Sequence, residues 1–227
     1  MKVIILAGGF GSRISEYTKL IPKPMVKILK VPIIVRIINH YIKYGFNEFI
    51  IAAGYKSNII KDYFKKNLRN INVTVINTGK KTMTGGRIKK LSKHLKHTFM
   101  LTYGDGLSNV NLKKLFKQNK KQKKLVTVTA VRPPARFGEL KIKGTNVYKF
   151  KEKVPMTEGW INGGFFVMEP EFIKFIKSDK SILEQQPLEK ACKLGKLTAF
   201  KHHGFWQCMD TKRDRDHLEK IIKKINF

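Results

Sequence analysis

The apolar positions of the first half come in short compact runs separated by stretches of helical periodicity. Lys2 to Leu6 is a β-branched run that leads into Ala7, Gly8 and Gly9. An unbroken run of that length predicts a strand buried on both faces, with a loop at its carboxyl end. Val31 to Tyr44 repeats its apolar residues at three- and four-residue intervals; Pro32 near N1 and Gly45 just beyond predict a helix. Glu48 to Ala53 predicts a second strand, Ser57 through Asn67 a helix capped by Ser57, and Val73 to Ile76 a third strand. Lys89 to Leu95 predicts a further helix, and Phe99 to Tyr103 a fourth strand ending in Gly104-Asp105-Gly106. A helix over Asn111 to Gln122 and a strand over Leu125 to Val131 follow. Strands alternating with helices at this spacing predict an α/β fold with a doubly wound, mostly parallel sheet.

The second half changes character. Glu139 to Ile142 and Asn146 to Phe150 flank Lys143-Gly144-Thr145 and predict a small antiparallel elaboration. A strand over Gly164 to Met168, a helix from Pro170, another over Leu183 to Leu194, a strand over Leu197 to Lys201 and a final helix from Thr211 complete the reading. No internal repeat or linker composition divides the chain, so residues 1–227 are expected to form one domain. Ligands gather at the carboxyl ends of the strands in such sheets, a rule that sets Gly8 to Arg13, Thr84 to Arg87 and Gly104 to Gly106 side by side.

Charge changes this picture more than any other compositional figure. Lys and Arg number 47 against 16 Asp and Glu, for a formal charge of +31. Such an excess ordinarily points to nucleic acid or an anionic membrane. Here 39 of the basic residues are lysine, whereas dedicated phosphate and base readers lean on the arginine fork. The basic run from Lys113 to Lys124 lacks interleaved aromatics and reads as the solvent side of a helix. No nucleic-acid or membrane partner is therefore expected. Two cysteines in unrelated contexts, Cys192 and Cys208, offer no disulfide framework or zinc ribbon, and no signal-like apolar segment opens the chain. A cytoplasmic protein is expected.

The chemistry concentrates in a few segments. Leu6-Ala7-Gly8-Gly9-Phe10-Gly11-Ser12-Arg13 is a glycine-rich loop whose backbone N–H groups can cradle phosphate oxygens, with Arg13 adding a charged fork. It is neither a Walker loop nor a dinucleotide fingerprint. In Pro22-Lys23-Pro24-Met25 two prolines fix the backbone around a lysine that can reach a phosphate. Asp105, flanked by two glycines, can face a metal ion. Asp210 reads on its own equally well as an N-terminal helix cap. His94, His97, His202 and His203 have no ligands at metal spacing.

Taken in order, LAGGFGSR, PKPM, MTGGR, YGDG, FKEK, INGGFFV and WQCMDT cover nearly the whole chain. This series resembles the sugar-1-phosphate nucleotidylyltransferase family. TGKKTMTGGR and WQCMDT point within it to the branch that uses CTP and glucose 1-phosphate. The resemblance implies a Rossmann-like sheet of the nucleotide-diphospho-sugar transferase type, with a nucleotide-binding half (1–131) and a sugar-binding half (132–227). It also implies Mg²⁺ as cofactor, CTP and glucose 1-phosphate as substrates, and a homo-oligomer.

Site residues follow from the same resemblance. Arg13, Lys23 and Asp105 take the catalytic roles, with Asp105 and Asp210 as metal ligands. Leu6, Ala7, Gly8, Gly9, Gly11, Ser12, Arg13, Lys23, Thr82, Thr84, Gly86 and Arg87 line the nucleotide. Arg87 is expected to meet the acceptors O2 and N3 of cytosine. Tyr103, Glu152, Lys153, Asn162 and Gly163 are expected around the sugar and its phosphate, although Tyr103 reads equally as a core tyrosine.

Overall fold

A computed structural model describes residues 1–67, 71–132, 139–151 and 159–225. The first strand, β1 (Lys2–Ala7), is buried at every position after Lys2. A loop, a short 3₁₀ turn and the single-turn α1 (Ser15–Thr18) lead to a second 3₁₀ turn at Lys23–Met25. The two-residue strands β2 (Lys27–Ile28) and β3 (Val31–Pro32) then pair antiparallel before α2 (Ile33–Lys43). The helix predicted from Val31 thus starts two residues later. Pro32 has φ −56° and ψ 140°, an extended conformation that pairs with Lys27 and precedes the helix.

β4 (Glu48–Ala53) follows as expected; Ser57 is the first residue of α3 (Ser57–Asn67) instead of its cap, and β5 (Asn72–Asn77) extends one residue beyond the expected strand at each end. The next helix differs. Instead of Lys89 to Leu95, α4 spans Thr84–Lys90, and Ser92–His94 forms only a 3₁₀ turn. Gly85 and Gly86 disfavour a helix by propensity, yet here they let it pack against the backbone of residues 179–181. A Cβ on Gly86 would lie 2.2 Å from the Asp179 carbonyl oxygen, and one on Gly85 2.8 Å from that of Ser181.

β6 (Phe99–Tyr103), β7 (Gly106–Ser108), α5 (Leu112–Gln122) and β8 (Val126–Val131) complete the first half. α5 buries Leu112, Leu115 and Asn119 while Lys113, Lys114, Lys117, Lys120 and Lys121 stay exposed, so the basic run is the solvent face of an amphipathic helix. β9 (Glu139–Lys143) and β10 (Asn146–Lys151) form the antiparallel pair read from the sequence, one residue longer each. β11 (Ile161–Met168) begins three residues earlier than expected and carries Asn162 and Gly163 within it. Pro170–Phe175 is a 3₁₀ turn, α6 (Gln186–Lys193) starts later than Leu183, and β12 (Leu197–His202), β13 (Trp206–Cys208) and α7 (Lys212–Ile225) close the chain.

The seven-stranded sheet runs β12-β8-β11-β6-β1-β4-β5. Every neighbouring pair is parallel except those of β11, which lies antiparallel to both β6 and β8. The sheet is mostly parallel with core clusters on both faces, so its central strands read as continuous apolar runs. From β1 the chain first moves outward to β4 and β5, then returns to the other side of β1 as β6. That reversal opens a crevice beyond the carboxyl ends of β1 and β6. Among the described residues, no helix is long and apolar enough to cross a membrane.

Candidate active site

Several chain segments meet at this crevice. The glycine-rich loop leaves β1, with Gly11 at φ +67°, where a Cβ would lie 2.8 Å from the Thr18 methyl and 3.0 Å from Lys23 Cβ. Gly11 therefore makes the turn possible and lets the Lys23 segment lie against it. Gly8 leaves room for Arg87, whose Cζ would sit 2.0 Å from an added Cβ; Gly9 faces open space. Leu6 and Ala7 are buried at the end of β1, while Ser12 and Arg13 are exposed beyond the turn.

Lys23 projects from a 3₁₀ turn fixed by prolines on both sides, with Met25 N–H donating to the Pro22 carbonyl at 2.8 Å. Pro24 packs against Gly104, where a Cβ would come within 3.0 Å of its ring, and Gly104 N–H donates to Leu6 at 3.0 Å. The turn and the end of β6 are thereby held together. Lys23 Nζ lies 2.6 Å from Asp105 Oδ2 and 2.7 Å from Asp210 Oδ1, so both carboxylates converge on one cation. Arg13 Nη1 reaches the other oxygen, Asp210 Oδ2, at 2.8 Å. Burial alone would lower the pKa of Lys23, but the Asp105 and Asp210 carboxylates outweigh it and hold the value above that of an ordinary lysine.

Asp105 and Asp210 are brought together by a pairing that the sequence did not reveal. β7 and β13 run antiparallel with Gly106 opposite Cys208, and Met209 N–H donates to the Asp105 carbonyl at 2.9 Å. The cap of α7 falls elsewhere than on Asp210. Asp214 Oδ2 accepts from Thr211 N–H and Oγ1, both at 2.9 Å, while Thr211 Oγ1 accepts from Asp214 N–H at 3.2 Å. That reciprocal capping box leaves the Asp210 carboxylate directed at Lys23 and Arg13. The nearby Cys208 thiol is pushed up to about 12 by burial and by the Asp210 and Asp105 carboxylates.

The expected base-reading group lies beside the glycine loop, but its side chains are engaged with the protein. Arg87 Nη1 donates to Thr78 Oγ1 at 2.6 Å, to the Gly79 carbonyl at 2.9 Å and to that of Ala53 at 3.1 Å; Nη2 donates to Gly8 at 2.9 Å. The residue is 4% exposed. Its guanidinium fastens the loops after β1, β4 and β5 to one another in place of reaching outward. Thr82 Oγ1 donates to the Thr78 carbonyl at 2.7 Å, and Gly86 carries the close packing of α4 described above.

On the other side of the crevice, Tyr103 at the end of β6 donates its hydroxyl proton to Glu184 Oε1 and accepts from Asn162 Nδ2 at 3.2 Å. Gly164, at φ +79°, admits the Tyr103 ring, which an added Cβ would meet at 2.6 Å. Gly163 receives Trp206 Nε1–H on its carbonyl at 2.7 Å. Glu152 and Lys153 lie outside the described residues. Sequence reasoning missed Glu184, whose partners lie 81 and 100 positions away and which sits in no local motif. The Thr211–Asp214 box was legible as a Thr-x-x-Asp signature.

The chain is similar to known proteins. A family profile described as nucleotidyl transferase matches residues 2–207. The chain is 41% identical over 248 aligned positions to a glucose-1-phosphate cytidylyltransferase of Salmonella typhimurium, covering 99% of this chain and 96% of that protein. It is 33% identical to a D-glycero-α-D-manno-heptose 1-phosphate guanylyltransferase of Campylobacter jejuni, covering 82% and 84% of the two chains. The crystal structure of HddC from Yersinia pseudotuberculosis complexed with GMP-PN superposes with a TM-score of 0.76 at 26% identity, over 97% of this chain and 99% of that one. By the matched span, the near full-length identity and the shared fold, the chain belongs to the nucleotidyl transferase family.

Proposed function

We propose that the protein transfers a cytidylyl group from CTP to α-D-glucose 1-phosphate, giving CDP-glucose and pyrophosphate. The observation that carries this reading is the convergence of Asp105, Asp210, Lys23 and Arg13 beside the glycine loop at the switch point of the sheet. The choice of CTP and glucose 1-phosphate rests on the Salmonella relative.

A divalent ion fits the donor set. Two carboxylate oxygens already lie within 2.7 Å of a single cationic nitrogen, and Gly106 has open space around it. Among the described residues, no group of three or more potential ligands forms a closed cage. One or two carboxylates completed by phosphates and water is the arrangement magnesium prefers. Asp105 and Asp210 would hold the ion, and the chemistry it supplies there is neutralisation of triphosphate charge and polarisation of the α-phosphoryl group.

The chain's own residues supply the rest. The loop from Gly8 to Ser12 presents backbone N–H groups to the triphosphate, and Gly9 lets it approach. Lys23 and Arg13, released from the carboxylates, meet phosphate oxygens as negative charge develops. Tyr103, Asn162 and Gly163 border the sugar, with Glu152 and Lys153 assigned to its hydroxyls and phosphate. An oxygen of the sugar phosphate forms a bond to the α-phosphorus as the bond to the pyrophosphate oxygen breaks, and the electron pair leaves with pyrophosphate. The attacking phosphate is already ionised, so positioning and electrostatics replace a general base.

The test is pyrophosphate release by the purified protein with CTP, glucose 1-phosphate and Mg²⁺. Turnover that falls ~100-fold or more in Asp105→Asn fits loss of a metal carboxylate; no turnover with CTP would overturn the reading.

A further inference from the structure

Glu184 occupies the turn ahead of α6 and takes one hydrogen bond on each carboxylate oxygen. Oε1 accepts from the Tyr103 hydroxyl, and Oε2 accepts from Thr84 Oγ1 at 2.8 Å. Thr84 Oγ1 in turn accepts from Leu183 N–H at 2.9 Å. Asn162 Nδ2 donates to the Tyr103 hydroxyl at 3.2 Å, and Asn162 Oδ1 accepts from Gly164 N–H at 2.8 Å. The end of β6, the first residue of α4, the turn before α6 and the bulged start of β11 are thus joined through one carboxylate.

Hydrogen-bond direction gives this connection its consequence. A phenol has one proton to donate, and Tyr103 gives it to Glu184. Toward Asn162 the phenol oxygen can then only accept, which directs Nδ2 to Tyr103 and Oδ1 to Gly164 N–H. The amide keeps a second Nδ2 hydrogen to offer a ligand. Burial, followed by the charge of Glu184, raises the phenol pKa above its usual value, so the proton stays in place at neutral pH.

The carboxylate also stands out by sign. Asp105 and Asp210 converge on the Lys23 cation, whereas Glu184 is bonded to the neutral hydroxyls of Tyr103 and Thr84; negative charge beside two phosphorylated substrates is unfavourable there, unless the nearby part of the ligand carries hydroxyls. Through Thr84, Glu184 anchors this polar edge to α4, whose Arg87 fastens the loops on the other side of the crevice.

We propose that Glu184 is a positioning residue for the acceptor. It holds the Tyr103 phenol, and through it the Asn162 amide, in the orientation that meets the hydroxyls of the sugar phosphate. The inference rests on the reading above, in which Tyr103 and Asn162 face the sugar.

The test is steady-state kinetics of the full chain with the nucleotide and the sugar phosphate varied in turn. Glu184→Ala is expected to raise KM for the sugar phosphate about tenfold, the effect of losing one net hydrogen-bond contribution, while KM for CTP stays within about twofold. Glu184→Gln should recover most of the loss, because its amide oxygen still accepts from Tyr103. Tyr103→Phe should reproduce the sugar-side defect, and the double variant Tyr103→Phe/Glu184→Ala should be little worse than either alone. Equal increases in both KM values, a Gln variant as impaired as Ala, or a lowered melting temperature with unchanged kinetics would overturn the inference. Absence of turnover in the unaltered protein would instead sink the functional reading, and this inference with it.

Discussion

At the scale of single residues, Arg87 shows how chemistry and position can part company. Its place beside the glycine loop was legible from the order of motifs and the rule for parallel sheets. Its contacts were not, because three of the four acceptors are carbonyls, of Gly8, Ala53 and Gly79, and a carbonyl's availability is set by backbone path and leaves no mark in side-chain sequence. The four acceptors are neutral, and burial lowers the pKa of the guanidinium. Arg87→Lys keeps the charge but gives up the planar fork that reaches several acceptors at once. A loss of about 2–3 kcal/mol in unfolding free energy is expected, together with a raised KM for the nucleotide as the three loops loosen. Urea denaturation and initial rates measure the two effects. Unchanged stability with lost CTP discrimination would return Arg87 to the base-reading role.

At the scale of elements, strands read from continuous apolar runs and helices read from periodicity mostly agree with the fold. The disagreements have local causes. Pro32 looked like a first helical residue but adopts an extended conformation against Lys27. The helix predicted over Lys89 to Leu95 left out Thr84-Gly85-Gly86, whose glycines are poor helix formers, whereas close packing on residues 179–181 accompanies helix there. The β7–β13 pair that aligns Asp105 with Asp210 joins segments about a hundred residues apart, beyond the reach of any local pattern. Two glycine sites also make a comparative prediction. Gly86→Ala places a methyl 2.2 Å from a carbonyl oxygen and should destabilise the protein by about 1–3 kcal/mol through overpacking. Gly9→Ala meets only open space and should leave stability nearly unchanged while weakening nucleotide binding. Melting curves of both variants check the contrast, and equal destabilisation would contradict it.

At the scale of the whole molecule, the +31 charge resolves into a few basic side chains at the crevice and many on solvated faces such as that of α5. One titratable group inside the scaffold adds a pH dependence. His40 Nε2 lies 3.0 Å from the Val110 carbonyl, and burial carries its pKa down to about 4, partly opposed by that bond and reinforced by Lys43. Its folded value therefore lies below its unfolded one, so neutral His40 favours the fold at pH above about 6.5 and the contribution disappears as pH falls toward 4. The loss is on the order of 3 kcal/mol at the acid end. Urea midpoints at pH 7 and pH 5 should differ less in His40→Gln than in the unaltered protein; an equal difference would assign the acid sensitivity elsewhere.

The central claim is the identity of the group transferred. It is tested most directly by offering the purified protein equal concentrations of CTP, UTP, GTP, dTTP and ATP with glucose 1-phosphate and Mg²⁺, and identifying the sugar nucleotide formed by mass spectrometry. The account predicts CDP-glucose as the dominant product, formed in equal amount with pyrophosphate; a different nucleoside diphosphate-glucose as the main product, or no sugar nucleotide at all, would contradict it.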